Sequence, residues 1–437
     1  MNEYSGSLKE RLSSLINEMS ESPALFVSNP GKDFTRNRKL PFEIVVQLLI
    51  SMGGNSIYKE LLEAQGYDVN TATTSAFVQQ RDKILPYAFE FLLHKFSESH
   101  TDIRTYRGYR LLSVDGSDLH TPTDPSDADT YFQTQPNAIG YNLLHLNAIY
   151  DLCNRLYIDA VVQPGRQQNE HKALTDMVDR SRIRDKAIVI ADRYYECYND
   201  FAHIEQKGWN YIIRVKDPRS GGILSGLCLP SDEEFDFCVQ RILTRKQAKE
   251  VKADPHVFRF LPSCVSFDYL SYCSGDFYPI SFRIVRFKVT DDLYETLITN
   301  LDPTNFTPDE LKKLYAMRWG IETSFRKLKY TIGLTHFHAK KREFIIQEIF
   351  ARLIMYNFSE MITSHVVISQ ADTVHAYQVN FTVVVLVCRY FLRRSRIESP
   401  PDIEALIRKN ILPIRPGRRN SRKFRPKAVV SFLYRVA

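Results

Sequence analysis

Apolar residues fall into two rhythms along this chain, and the change between them divides it. From residue 33 to 96, polar helix starts are followed by apolar positions at helical spacing (DFTRNRKLPFEIVVQLLISMGG, then TSAFVQQRDKILPYAFEFLLHKF), which predicts a helical region over residues 1–105. Residues 109–114 are then apolar and β-prone. Asp115-Gly116-Ser117 ends that run, so the Asp115 carboxylate is expected to project from the end of a buried strand. Residues 142–151 (NLLHLNAIYD) and 155–163 (RLYIDAVVQ) read as a hairpin turning at Cys153 and Asn154. Residues 169–182 read as a crossover helix into the continuous apolar run 187–191, which Asp192 ends, and 210–216 (NYIIRVK) as a further strand. The order strand, strand, strand, helix, strand, helix, strand, helix predicts an α/β core with a mixed sheet, its first part spanning 106–217.

Residues 218–300 alternate apolar and polar positions (HVFRFL, CVSFDYL, ISFRIVRFKV, YETLITNL) after a Gly/Ser/Pro-bearing stretch, and read as a β-rich insertion. One long helix is then expected from Thr307 as N-cap, Pro308 as N1 and Glu310 as N3 of a capping box, to Gly333 as C-cap. Within it Tyr315, Arg318, Glu322 and Lys329 stand at offsets 0, 3, 7 and 14. At about 100° per residue they share a stripe only about 60° wide. Leu314, Met317, Ile321, Phe325 and Leu328 form an apolar stripe beside it, placing Glu322 at a core's edge. Gly320 costs about 1 kcal/mol in mid-helix, so something is expected to approach the backbone there. The plainer reading of Arg318 and Glu322 is an i, i+4 ion pair on a solvated face.

The Y-x2-R-x3-E-x6-K pattern of Tyr315, Arg318, Glu322 and Lys329 resembles the signature of bacterial insertion-sequence transposases, cut-and-paste DDE enzymes with a ribonuclease H-like core. The Asp115-Gly116-Ser117 and Asp192-Arg193-x-Tyr195 segments resemble the aspartate regions of the same family. The resemblance implies a fold of four parts: a helical N-terminal DNA-binding region (1–105), a ribonuclease H-like core (106–217, completed with C-terminal helices by 301–395), a β-rich insertion (218–300) and a basic tail (396–437). It implies Asp115, Asp192 and Glu322 as catalytic metal ligands. Asp151 and Asp159 compete for that role, from a hairpin turn and mid-strand. Arg318, Lys329 and Arg193 would hold phosphates near the cut, with Tyr315 bonding a phosphate or packing on the terminal nucleotide. In this family the insertion is associated with the cleaved DNA end; the residues alone fit equally a β-subdomain that stabilises the core. Arg36, Arg38, Lys39, Gln79, Arg81 and Lys83 are candidates to face DNA from the N-terminal helices.

Charge adds a second DNA-binding element. Residues 389–437 hold 14 Lys and Arg against three acids, although the whole chain nets only +7. Arg415, Arg418, Arg419, Arg422, Lys423, Arg425 and Lys427 lie within PIRPGRRNSRKFRPK, where prolines forbid a regular helix and no acid intervenes. Such a polycation can follow a phosphate backbone, or remain a solvated tail. Seven cysteines, an odd number without a CxxC or a Cys/His spacing, argue against a disulfide framework and a zinc site. The polar start and the short apolar runs exclude a signal peptide and a membrane span, so the expected location is the bacterial cytoplasm, at the nucleoid.

Three carboxylates with no His or Cys among them select Mg²⁺, with Mn²⁺ as the alternative. Two such ions about 3.5 to 4 Å apart activate a water or 3′-hydroxyl and stabilise the leaving oxygen of an in-line displacement at phosphorus. The expected activity is DNA cleavage at element ends and strand transfer. Its partners are double-stranded DNA, as terminal inverted repeats and target, and a second copy of the chain when two ends are bridged. A catalytically silent, repurposed DNA-binding protein and a ribonuclease H-like nuclease are the alternatives. Trp319 is read as core before a base-stacking platform, and His171 as a cap of the crossover helix before a metal ligand.

Overall fold

Five helices precede the first strand: α1 (Glu3–Glu21), α2 (Phe42–Ser51), α3 (Ile57–Ala64), α4 (Thr74–Arg81) and α5 (Pro86–Glu98). The computed structural model describes residues 3–36, 38–218, 221–272, 275–291, 293–366, 376–393 and 401–414. The run before Asp115 opens β1 (Arg110–Thr121), followed by β2 (Tyr131–Phe132), β3 (Tyr141–Asp151), β4 (Leu156–Pro164), α6 (Glu170–Arg180), β5 (Ala187–Ala191), α7 (Tyr198–Gln206) and β6 (Asn210–Val215). β1 pairs antiparallel with β3 and parallel with β5, β3 pairs with β4, and β5 pairs with β6. This is the ribonuclease H-like arrangement, with strand order β4-β3-β1-β5-β6 and the β1–β5 and β5–β6 ladders parallel.

β1 does not stop at Asp115. Gly116 and Ser117 carry no turn, because β3 continues to pair with β1 as far as Thr121 opposite Asn142. What ends near Asp115 is the other ladder, whose last pair is Ser113 with Ile190. The strand therefore loses one neighbour at the aspartate and keeps the other.

Residues 218–300 supply β7 (Phe235–Thr244), α8 (Lys249–Ala253), β8 (Phe258–Phe260), β9 (Phe277–Thr290) and β10 (Leu293–Thr299). β10 lies antiparallel beside β6, and β9 and β7 follow it, so the insertion prolongs the core sheet to ten strands among the described residues. Phe282, Ile284 and Leu243 share one apolar cluster with Val189, Phe201 and Tyr211 of the core.

α9 (Pro308–Ala316) and α10 (Trp319–Lys327) replace the single expected helix. The chain tightens between them: the N–H groups of Met317, Arg318, Gly320 and Ile321 each bond the carbonyl three residues back. Met317 consequently turns outward, while Leu314, Ile321, Phe325 and Leu328 are buried. Neither half of the capping box forms: Thr307 caps without its side chain, and the Glu310 carboxylate takes the Tyr106 hydroxyl at 2.5 Å and pairs with Arg107. A π-helical turn, Leu328–Ile332, closes at Gly333 with φ +89°, the left-handed stop expected there. Leu152 Cδ2 would stand 2.7 Å from a Cβ at Gly320, which is the close approach that glycine permits.

α11 (Arg342–His365) is enclosed by the N-terminal helices, β4 and α12 (Phe381–Arg393), with α13 (Ile403–Lys409) beyond. Glu348 on α11 is fully buried and takes Arg81 at 3.0 Å, Arg352 at 3.0 Å and His338 at 3.1 Å. Arg81 is therefore not a DNA-facing residue; its guanidinium locks α4 to α11. Lys83 bonds Gln80 and, with Arg36 and Arg38, lines a cavity of about 430 Å³ at the surface. No helix among the described residues is long and apolar enough to cross a membrane.

Candidate active site

Strand alternation and register bring two acids together. Leu112 and Val114 face α6 and α7, whereas Leu111 faces the cluster containing Leu311, Leu314 and Tyr315 of α9. Asp115 lies on the α9 side by alternation. Ile188 and Ile190 face that same side, and Asp192, in extended backbone just after β5, continues it. Two residues beyond the Ser113–Ile190 pair stand Asp115 and Asp192, at equivalent heights on neighbouring strands.

α10 brings the third acid to that face. Arg318 Nη2 donates to Glu322 Oε1 at 2.6 Å, and its Nη1 lies 3.9 Å from Asp115 Oδ2. The guanidinium is thus a wedge between two of the candidate carboxylates, and the i, i+4 pair is half-buried rather than a solvated decoration. Burial, above all, pushes the Asp115 carboxyl up to about 6. The Gly116 N–H and Arg318 pull it down, and the charges of Asp192 and Glu322 push it further up. Asp192 Oδ1 also accepts the Tyr194 N–H at 2.8 Å, so it caps the short turn that follows.

The neighbours differ in availability. Lys329 Nζ donates to the Asp118 carbonyl at 2.9 Å, and burial holds its ammonium below the usual range. Tyr315 is buried, with its ring under Arg318 at 5.9 Å. Trp319 is 62% exposed, with Arg318 5.3 Å from its ring, so the expectation that it is core is corrected. The reason is the tightened turn at 317–318, which rotates α10 away from a continuous helix. Arg193 is exposed and lines two adjoining cavities: about 890 Å³ with Lys216 and Arg259, and about 340 Å³ with Arg214 and Arg286. Arg415, Arg418, Arg419, Arg422, Lys423, Arg425 and Lys427 lie outside the described residues.

The competing aspartates are committed elsewhere. Asp151 is fully buried, takes Arg110 at 2.8 and 2.9 Å, and accepts the N–H groups of Cys153 and Asn154 that make the hairpin turn. Asp159 accepts two bonds from Arg180, at 2.8 and 2.6 Å, and one from His94.

Sequence reasoning missed a cluster beside Asp115. His145 Nδ1 meets Asp118 at 2.7 Å and its Nε2 meets Glu170 at 2.9 Å. Burial disfavours the imidazolium, but the two facing carboxylates, one of them hydrogen-bonded, outweigh it and lift His145 to about 9. Gly116 makes room for this pair: a Cβ there would stand 2.6 Å from Glu170 Oε1 and closer still to His145. The only sequence signal was the glycine after Asp115. The cross-strand pairing of Asp118 with His145 depends on a register that one strand does not carry.

The family model of the transposase DDE domain matches residues 106–358, more than half of the chain. No curated protein matches. Among solved structures, the chain is similar to a piggyBac transposase synaptic complex with hairpin DNA, at a TM-score of 0.44 and 10% identity, over 94% of this chain and 84% of that one. The family match spans all three acids and the strands that carry two of them, and the chain belongs to the DDE transposase family.

Proposed function

We propose that this transposase cleaves DNA at the ends of its element and transfers the strands into target DNA, with Asp115, Asp192 and Glu322 holding two Mg²⁺ ions. Mn²⁺ is the alternative. The observation that supports the reading is that Asp115 and Asp192 stand at equivalent heights on neighbouring strands, with Arg318 of α10 between Asp115 and Glu322. Burial above all, and then the charges of Asp192 and Glu322, raise Asp115 to about 6 although Arg318 lies against it, and a bound cation would relieve both effects. Hard oxygen donors without His or Cys fit Mg²⁺. When bound, such an ion pair supplies an activated oxygen nucleophile and stabilises the leaving oxygen.

The protein's own side chains do the rest. Asp115 must be deprotonated to act as a ligand, and a bound cation favours that form. Arg318 offers a planar fork for a phosphate, Lys329 a point charge, and Tyr315 a hydroxyl at the edge of the apolar cluster. Arg193 extends the basic lining toward the insertion, where Arg259 and Arg286 continue it. Trp319 presents an exposed ring on which an unpaired base can stack. The DNA partner is double-stranded, read at terminal inverted repeats, and two copies of the chain bridge two ends.

Incubation with Mg²⁺ and candidate terminal DNA tests this. Asp115→Asn, Asp192→Asn and Glu322→Gln should each abolish end-specific cleavage while gel-shift affinity stays near wild type. Wild-type cutting by any one of them would remove that residue from the site.

A further inference from the structure

His171 is the second residue of α6, and Asp200 the third of α7, whose N-cap is Cys197. No sequence spacing links them. The fold does, because crossover helices run opposite to their strands and present their first turns at the same end of the sheet. A ring nitrogen of His171, the Cys197 sulfur and a carboxylate oxygen of Asp200 all lie within 4.8 Å of one another.

Asp200 is completely buried, and only half of its carboxylate is used. Oδ2 meets His171 Nδ1 at 2.6 Å, while Oδ1 has no partner. A buried carboxylate oxygen without a donor is costly and calls for a cation. Burial, and after it the Asp200 charge, raise the Cys197 thiol to about 11, while the nearby Asn199 and Asp200 backbone N–H groups act in the opposite direction, toward the thiolate a metal would require. The second such grouping, Glu90, His94 and Asp159, offers no comparable oxygen because Arg180 occupies both oxygens of Asp159.

We infer that His171, Cys197 and Asp200 bind one borderline-soft divalent ion, zinc by its ligand chemistry, at a site separate from the three candidate catalytic carboxylates. Nitrogen, thiolate and carboxylate donors with one position open form a zinc set; a hard Mg²⁺ would not choose the sulfur. Bonds of about 2.0 to 2.3 Å put tetrahedral ligands roughly 3.3 to 3.8 Å apart, so from separations of at most 4.8 Å the side chains need close by no more than about 1 to 1.5 Å. Binding displaces the proton shared between His171 and Asp200 and that of the thiol, both to solvent. Access is open: His171 is half-exposed, and Cys197 lines the cavity of about 890 Å³ that also reaches Asp192. His171 further stacks on Tyr194 at 5.3 Å and 16°, so an ion there would fix the turn that Asp192 caps.

Cobalt titration of the chelator-stripped, full-length protein tests the site. One equivalent should produce a thiolate-to-cobalt charge-transfer band. Cys197→Ser should remove it, and His171→Ala should weaken cobalt binding by about tenfold or more. Asp115→Asn should leave the band intact. Absence of the band in folded wild-type protein, or its persistence in Cys197→Ser, overturns the assignment. A measurement without variants stands beside it: Zn²⁺ should slow alkylation of Cys197 about tenfold or more while leaving the exposed Cys228 unprotected. Equal labelling of Cys197 with and without Zn²⁺ overturns the proposal as well.

Discussion

Gly116→Ala should damage the candidate active site without touching an acid. The added methyl would stand 2.6 Å from Glu170 Oε1, and closer to His145. The van der Waals optimum begins near about 3.5 Å, so Glu170 must retreat by roughly 0.9 Å or β1 must move. His145 cannot yield easily, since it is buried and held by Asp118 at 2.7 Å. Breaking or stretching the His145–Glu170 pair, together with the overpacking, should cost about 1 to 3 kcal/mol. Any strand displacement passes directly to Asp115, and misplacement by about 1 Å can slow a positioned reaction about 100-fold. Urea unfolding would read the first effect and single-turnover cleavage of terminal DNA the second, with binding measured by gel shift. Combining Gly116→Ala with Glu170→Ala frees the space, so the double variant should lose about 1 kcal/mol less than the two single losses together. A Gly116→Ala protein within about 0.5 kcal/mol of wild type that cuts at the wild-type rate would refute the argument.

Glu348→Gln leaves Arg81 and Arg352 buried without their carboxylate, and should cost about 3 to 5 kcal/mol in urea unfolding; a loss below about 1 kcal/mol would mean the cluster carries little net charge. Burial, against the bond from Tyr211, raises Glu205 to about 7 from 4.5. That stabilising contribution is complete below its unfolded value and is lost as pH rises through about 7, so wild type should melt lower at pH 8 than at pH 6 and Glu205→Gln should shrink the difference. Deleting residues 415–427 should weaken binding to all DNA sequences alike and flatten the salt dependence by a slope of about 0.9 for every duplex phosphate the tail had neutralised; an unchanged slope would assign the tail to solvent.

The three candidate acids could be picked out in the sequence because their supports are local. The run Ala187–Ala191 had to be apolar throughout, being buried on both faces, and Asp192 stands out at its end. The Tyr315–Lys329 spacing likewise carries its own periodicity. What escaped depends on partners far along the chain. β1 runs past Gly116 because β3 holds it, and α10 separates from α9 where Arg318 turns toward Asp115 and Leu152 crowds Gly320. His145 with Glu170, and Cys197 with His171, meet only once strand register and helix direction are set.

The ladder from β6 to β10 has a consequence for anyone seeking a minimal enzyme. Trimming residues 218–300 would not detach a module but would strip β6 of its outer partner along Thr296–Thr299. The exposed row of N–H and C=O groups, on a strand that is buried almost throughout, would be an open template for another chain. A shortened transposase should therefore come out of the cell as aggregate, unless a designed edge, carrying lysines or a proline, is put in the place of β10.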